Sequence, residues 1–177
     1  MVWPMNILAI SGSLRARSSN TNLLHAIVTL APPNTEVRIY EGIGELPHFN
    51  PDLDRDEPPV AVQTWRDQLK WADGVILCTP EYANGVPGVL KNALDWIVSS
   101  GEFVDKPTVV ISASPLQTGG EKAHTSLLLT LEMMTANITG KLTVPLVNQK
   151  VNEAYVITDA ILEQEINQVL DGLLASQ

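Results

Sequence analysis

The stretch ISGSLRARSSNTNLL, residues Ile10 to Leu24, opens as the end of an apolar strand and closes as the start of a helix. Between the two stand Ser11, Ser13, Ser18 and Ser19, the cations Arg15 and Arg17, and the single glycine Gly12. A strand that passes into a helix through such a turn reads as the first βα unit of a parallel sheet. Working outward, NILAIS is a first strand, continuously apolar as a buried parallel strand should be. Asn20 to Ala31 reads as the first helix, ended by Pro32 and Pro33.

The same alternation continues. EVRIY is a second strand, followed by the long Pro- and acid-rich connection EGIGELPHFNPDLDRDEPP. Val60 to Ala72 is a helix with Val62, Trp65, Leu69 and Ala72 near helical spacing, and GVILCT is the third strand. Val89 to Val98 is a third helix, TVVISAS a fourth strand, and Gly120 to Thr135 contains a fourth helix. LTVPLV is expected as a fifth strand towards an edge, because Pro145 cannot donate to a ladder. Ala160 to Leu174 closes the chain as an apolar-periodic helix. Strands alternating with helices imply an α/β fold, a parallel sheet covered on both faces, in one domain over residues 1–177. Ligands of such sheets bind at the carboxyl ends of the strands, which selects the turns after strands one, three and four.

Composition narrows the partners. A net charge of −9 argues against nucleic acid and against anionic lipid, but leaves room for a local anion pocket. The single cysteine, Cys78, forbids an internal disulfide and suits a reducing compartment. No apolar run reaches the length of a membrane span, and the start lacks the basic segment of a secretion signal. A soluble cytoplasmic protein is expected. His25, His48 and His124 lie too far apart for metal-ligand spacing, so no metal is expected.

The first turn has the chemistry of an anion cradle. A helix N-terminus offers unpaired N–H groups and a partial positive charge, and a phosphate placed there gains both. Ser11, Ser13, Ser18 and Asn20 add neutral donors, and Arg15 adds a charged planar fork. The plainer alternative is that Ser18, Ser19 and Asn20 serve as helix caps and Arg17 is a solvated charge. There is no Gly-Lys-Ser/Thr loop and no G-x-G-x-x-G, so a monophosphate on a larger ligand fits best. The second turn, TPEYANGVPGVLKNALDW from Thr79 to Trp96, places the flat face of Tyr82 beside Pro- and Gly-shaped backbone. Exposed amides beside a planar face suit a heteroaromatic ring such as an isoalloxazine, and with a phosphate one strand away the ligand expected would be FMN. The plainer alternative is a Pro/Gly turn that caps the third helix.

GSLRARSSN followed by TPEYANGVPGVLKNALDW resembles the NAD(P)H-dependent FMN reductase family, which includes quinone, chromate and azo-dye reductases. The likeness continues in LPHFNPDLD, ADGVILCTPEY and SASPLQTGGEKAH and so covers most of the chain. It implies a flavodoxin-like three-layer sandwich with a five-stranded parallel sheet in the order 2-1-3-4-5. It also implies non-covalent FMN, NADPH or NADH as co-substrate, a small-molecule electron acceptor, and a homodimer or homotetramer. By the same resemblance the FMN phosphate falls to Ser11, Ser13, Arg15, Ser18 and Asn20. The ring falls to Pro80, Glu81, Tyr82 and neighbouring amides, with Ser114 and Gly119 towards its pyrimidine side. Many members carry Asn directly after the Tyr and Ser two positions further on; here Ala83 and Gly85 stand there, with Asn84 between. The ring contact then passes to backbone or to Asn84, or is lost. Hydride would pass through the flavin, so no side chain is assigned as general acid or nucleophile. The competing readings are a flavodoxin-type electron carrier and a non-catalytic binding module on the same fold.

Overall fold

A computed structural model describes residues 5–176; residues 1–4, part of the start read above, and residue 177 lie outside the described residues. Five parallel strands form one sheet in the order β2-β1-β3-β4-β5. They are β1 (Met5–Ser11), β2 (Thr35–Tyr40), β3 (Gly74–Thr79), β4 (Pro107–Ala113) and β5 (Asn137–Val144). The order is the one the resemblance implied. The helices are α1 (Ser19–Leu30), α2 (Val60–Trp71), α3 (Gly88–Asp95), α4 (Glu121–Met133), a single turn α5 (Val147–Lys150) and α6 (Ala160–Leu174).

Alternation along the strands builds two cores. Ile7, Ala9, Ile76, Cys78, Val109 and Ile111 pack under α1 and α6. Leu8, Ile10, Val75, Leu77 and Val110 pack on the other face under α2, α3 and α4. β1, β3 and β4 are buried on both faces, which is why their sequences carry no polar alternation. Leu90, Ala93, Leu94 and Trp96 are fully buried in the chain's own core, so the apolar residues of LKNALDW are not a free surface for a partner.

Strand five departs from expectation. It begins at Asn137, five residues before LTVPLV, and ends at Val144, so Pro145 lies beyond the ladder rather than in it. Its first half is exposed or half-buried, as an edge strand's is, and so lacks the apolar run that marks the inner strands.

The acidic residues of the long connection are exposed apart from Asp54, while its Ile43 and Leu46 are buried. Arg66, which is 7% exposed, donates from Nη2 to Asp54 Oδ1 at 2.6 Å and to the Trp96 carbonyl at 2.7 Å. Ser99 donates to Asp54 Oδ2 at 2.6 Å. Further along, Asn92 Nδ2 and Trp96 Nε1 both donate to the Pro47 carbonyl, at 3.0 and 2.8 Å. These long-range bonds pin the connection onto α2 and α3.

Candidate functional site

β1 and β3 end side by side, since Ser11 pairs with Cys78 in register and the Gly12 N–H donates to the Cys78 carbonyl at 2.8 Å. The two following loops therefore rise together. Gly12 sits where they touch: a Cβ there would lie 3.0 Å from Leu90 Cδ2 and 3.4 Å from Pro80 Cδ. The loops enclose a cavity of about 490 Å³ together with the loop after β4 and the segment after β5.

Ser13, Arg15, Ser18, Asn20, Pro80, Glu81, Tyr82 and Ser114 line this cavity. Ser18 is the N-cap of α1, its Oγ accepting the Thr21 N–H at 3.4 Å. That leaves the N–H groups of Ser19 and Asn20, the first of the helix, at the cavity wall. The Asn20 side chain turns into the sheet instead. Its Nδ2 donates to the Ala113 carbonyl at 3.2 Å, and its Oδ1 accepts the buried Cys78 S–H at 3.2 Å. Burial pushes the Cys78 thiol far up, so it is no nucleophile at neutral pH.

Ser11 lies beneath the lining. Its Oγ accepts the Ser13 N–H at 3.3 Å and the Thr21 O–H at 2.9 Å, which shapes the turn from below. Ser13 is bonded to the Tyr82 hydroxyl at 3.2 Å, joining the first loop to the second. Arg15 and Arg17 both line the cavity, and among the described residues neither has a carboxylate within 4.0 Å. Arg15 and Arg17 balance Glu81 and Glu153 in the lining, so the cavity wall is formally neutral in a chain of net charge −9, with both cations on the first loop.

Ala83, Asn84 and Gly85 lie outside the lining. Tyr82 and Gly85 exchange both N–H···O bonds, at 3.1 and 3.0 Å, around Ala83 (φ 48°) and Asn84 (φ 63°). Two central residues at positive φ make a type I′ turn, which prefers Asn-Gly. The Tyr82 and Gly85 amides are therefore consumed by the turn and are not free donors. Ala is strained there, so Ala83→Gly should raise stability by about 0.5–1 kcal/mol, the relief exceeding the added chain entropy. A higher urea midpoint checks this, and a lower one contradicts it.

Gly119 is also outside the lining, at φ 61°. A Cβ there would stand 3.1 Å from the Pro145 nitrogen and 3.2 Å from the Val144 carbonyl carbon. Gly119→Ala should cost about 1–2 kcal/mol from the left-handed backbone, and more from the contact. The expected readout is a lower urea midpoint.

These three loops lie at the carboxyl ends of β1, β3 and β4. The sequence signature described as NADPH-dependent FMN reductase matches residues 5–150, all three loops included. The chain belongs to the NADPH-dependent FMN reductase family.

Relatives within it include a quinone reductase of Pseudomonas putida, 39% identical over 67% of this chain and 65% of its own length. The match thus spans just under two thirds of that relative. An NAD(P)H-dependent FMN reductase of Pseudomonas aeruginosa is 36% identical over 72% of this chain and 69% of that one. Among solved structures, the flavoenzyme NAD(P)H:(acceptor) oxidoreductase FerB of Paracoccus denitrificans superimposes with a TM-score of 0.81 at 27% identity. It covers 97% of this chain and 96% of that one.

Within the family's frame, the structure adds wall residues that sequence reasoning did not single out for the ligand. Arg17, read as a solvated charge, is exposed and also lines the cavity. Asn148, Val151 and Glu153 come from the segment after β5 and complete the wall. Ser19 donates to Asn148 Oδ1, and Tyr155 stacks on His25 of α1 with centroids 4.6 Å apart. The segment turns back on Asn152, whose Oδ1 accepts the N–H groups of Ala154 and Val156 at 2.9 and 3.0 Å. The Asn152 turn was the available signal.

Proposed function

We propose that this chain is an FMN-dependent reductase that takes reducing equivalents from NAD(P)H and delivers them to a quinone-type small molecule. The observation that carries the reading is one cavity shared by the α1 N-terminus, the Tyr82 loop and two arginines that, among the described residues, have no carboxylate within 4.0 Å. FMN fits the donor set. The amides of Ser19 and Asn20, the hydroxyls of Ser13 and Ser18, and the guanidinium of Arg15 would hold the phosphate. Pro80, Tyr82 and Ser114 would flank the ring. Ser11 and the Asn20 side chain act beneath, by fixing the loop and seating α1 on β3 and β4.

Bound FMN supplies the hydride and electron chemistry. The protein's own part is to orient it: the Ser13–Tyr82 bond sets the spacing between the phosphate and ring ends of the cavity. The acceptor class rests on the relatives, which include a 2-hydroxy-1,4-benzoquinone reductase of Burkholderia sp, 42% identical over 62% of this chain. Residues 1–177 form one flavin-binding domain, working in the cytoplasm as a homodimer or homotetramer with no nucleic acid or membrane partner. Among the described residues no helix is long and apolar enough to cross a membrane. Purified protein reconstituted with FMN should oxidise NADPH when 1,4-benzoquinone is added. Flavin that binds but never accelerates that oxidation would return the electron-carrier reading.

A further inference from the structure

Glu81 lies in the cavity wall, yet its carboxylate is already engaged. Its Oε2 accepts the N–H of Lys122 at 2.9 Å and that of Ala123 at 3.1 Å. Both amides belong to the first turn of α4. The N-cap of that helix is Gly120, at φ 82°, which has no side chain to offer. A side chain there is strained by the left-handed backbone angle, although a Cβ would meet only ordinary contacts with Ser112 and Glu81. The helix thus draws its cap from the loop after β3, forty residues away in sequence. Lys122 makes a second tie, its Nζ donating to Asn84 Oδ1 at 3.0 Å. Together these contacts clasp the loop from Glu81 to Asn84 onto the start of α4.

We propose that Glu81 is a positioning residue of the flavin site, locking the Tyr82 loop to α4 and holding a negative charge in the cavity wall. This rests on the FMN reading above. The two parts of the role separate by chemistry. Geometry needs only an acceptor oxygen, which a glutamine retains. The charge needs the carboxylate: it opposes the positive end of the α4 dipole and disfavours adding electrons to a neighbouring flavin. Glu81 therefore lowers the midpoint potential of the bound flavin while keeping its ring platform in place.

Two measurements test this. In the flavin-free protein, amide hydrogen exchange at Lys122 and Ala123 should be slow in wild type, fast in Glu81→Ala and intermediate in Glu81→Gln. In the FMN-loaded protein, Glu81→Gln should show a more positive midpoint potential than wild type. Glu81→Ala should show the potential shift together with about tenfold weaker FMN binding. Removal of a cap can unfold a helix, so Glu81→Gln carries the decisive comparison. Unchanged exchange in Glu81→Ala overturns the clasp, and a Glu81→Gln potential at or below wild type overturns the charge role. A wild type that fails to bind FMN overturns the functional reading instead, while the exchange data still decide the clasp.

Discussion

Arg15→Ala weakens FMN binding by about 10- to 100-fold, the value of a lost hydrogen bond to a charged group at about 1.5–3 kcal/mol. The chain carries net charge −9, so a phosphate dianion approaches against the overall field. A cation placed at the phosphate itself has to offset that field, and among the described residues no carboxylate lies within 4.0 Å of Arg15. Ser13 adds a neutral hydroxyl, which cannot replace a charge. Lysine keeps the charge but not the fork, so Arg15→Lys recovers part of the loss. Fluorescence-quenching titrations of FMN and of riboflavin separate the causes. Riboflavin has no phosphate, and its affinity should stay close to wild type. An equal loss for both ligands would mean that Arg15 shapes the loop rather than reads the phosphate. The FMN affinity of wild type should also fall as salt is raised, because the arginine is exposed to the bulk.

The second large effect lies away from the cavity. Arg66→Ala costs about 3 kcal/mol, the low end for a broken buried pair, because it removes a buried guanidinium and strands a partly buried carboxylate. The side chains of Arg66 and Asp54 are 9% and 11% exposed. Removal of the guanidinium leaves Asp54 with the Ser99 hydroxyl and deprives the Trp96 carbonyl of its donor. The paired replacement Arg66→Met with Asp54→Leu should lose much less, since the buried pair itself adds little net energy. Urea midpoints at neutral pH give both values. An Arg66→Ala midpoint equal to wild type would contradict the account.

The same pair sets an acid limit. Burial pushes the Asp54 carboxyl up, but the bonds from Ser99 and Arg66 and the guanidinium charge outweigh it and hold it below the ordinary range. A carboxylate depressed in the folded state stabilises fully above its unfolded value near 3.8. That contribution fades as pH falls below it. His124 works in a higher window. Burial, aided by the charge of Lys141, holds its imidazole below 6.5, so the unfolded chain takes up the proton first. Stability therefore declines as pH drops through 6.5, and His124→Gln should flatten that part of the profile.

The inner sheet was legible because β1, β3 and β4 are buried on both faces and so read as unbroken apolar runs. The start of β5 was not, because Asn137 to Lys141 run along an edge where exposure removes that signal. That Ser13, Arg15 and Ser18 share one cavity wall was legible, since strand-to-helix turns place such residues by local geometry alone. Contacts between distant segments were hidden. Nothing near Glu81 in sequence announces that its oxygen caps a helix starting forty positions later. Nothing near Ser19 announces Asn148. Ala83 and Gly85 followed a third pattern: their departure from the family's usual residues was visible, but its meaning needed the backbone, in which Ala83 and Asn84 form the tip of a tight turn closed by Gly85 outside the cavity.

The central claim is that this cavity holds FMN and lets NAD(P)H reduce it. The direct measurement is a visible spectrum of the protein mixed with excess FMN and desalted, repeated after anaerobic addition of NADPH. The account predicts that the yellow flavin absorbance survives desalting and bleaches on NADPH without a second protein. Protein that emerges colourless and leaves NADPH unoxidised in the presence of FMN would contradict it.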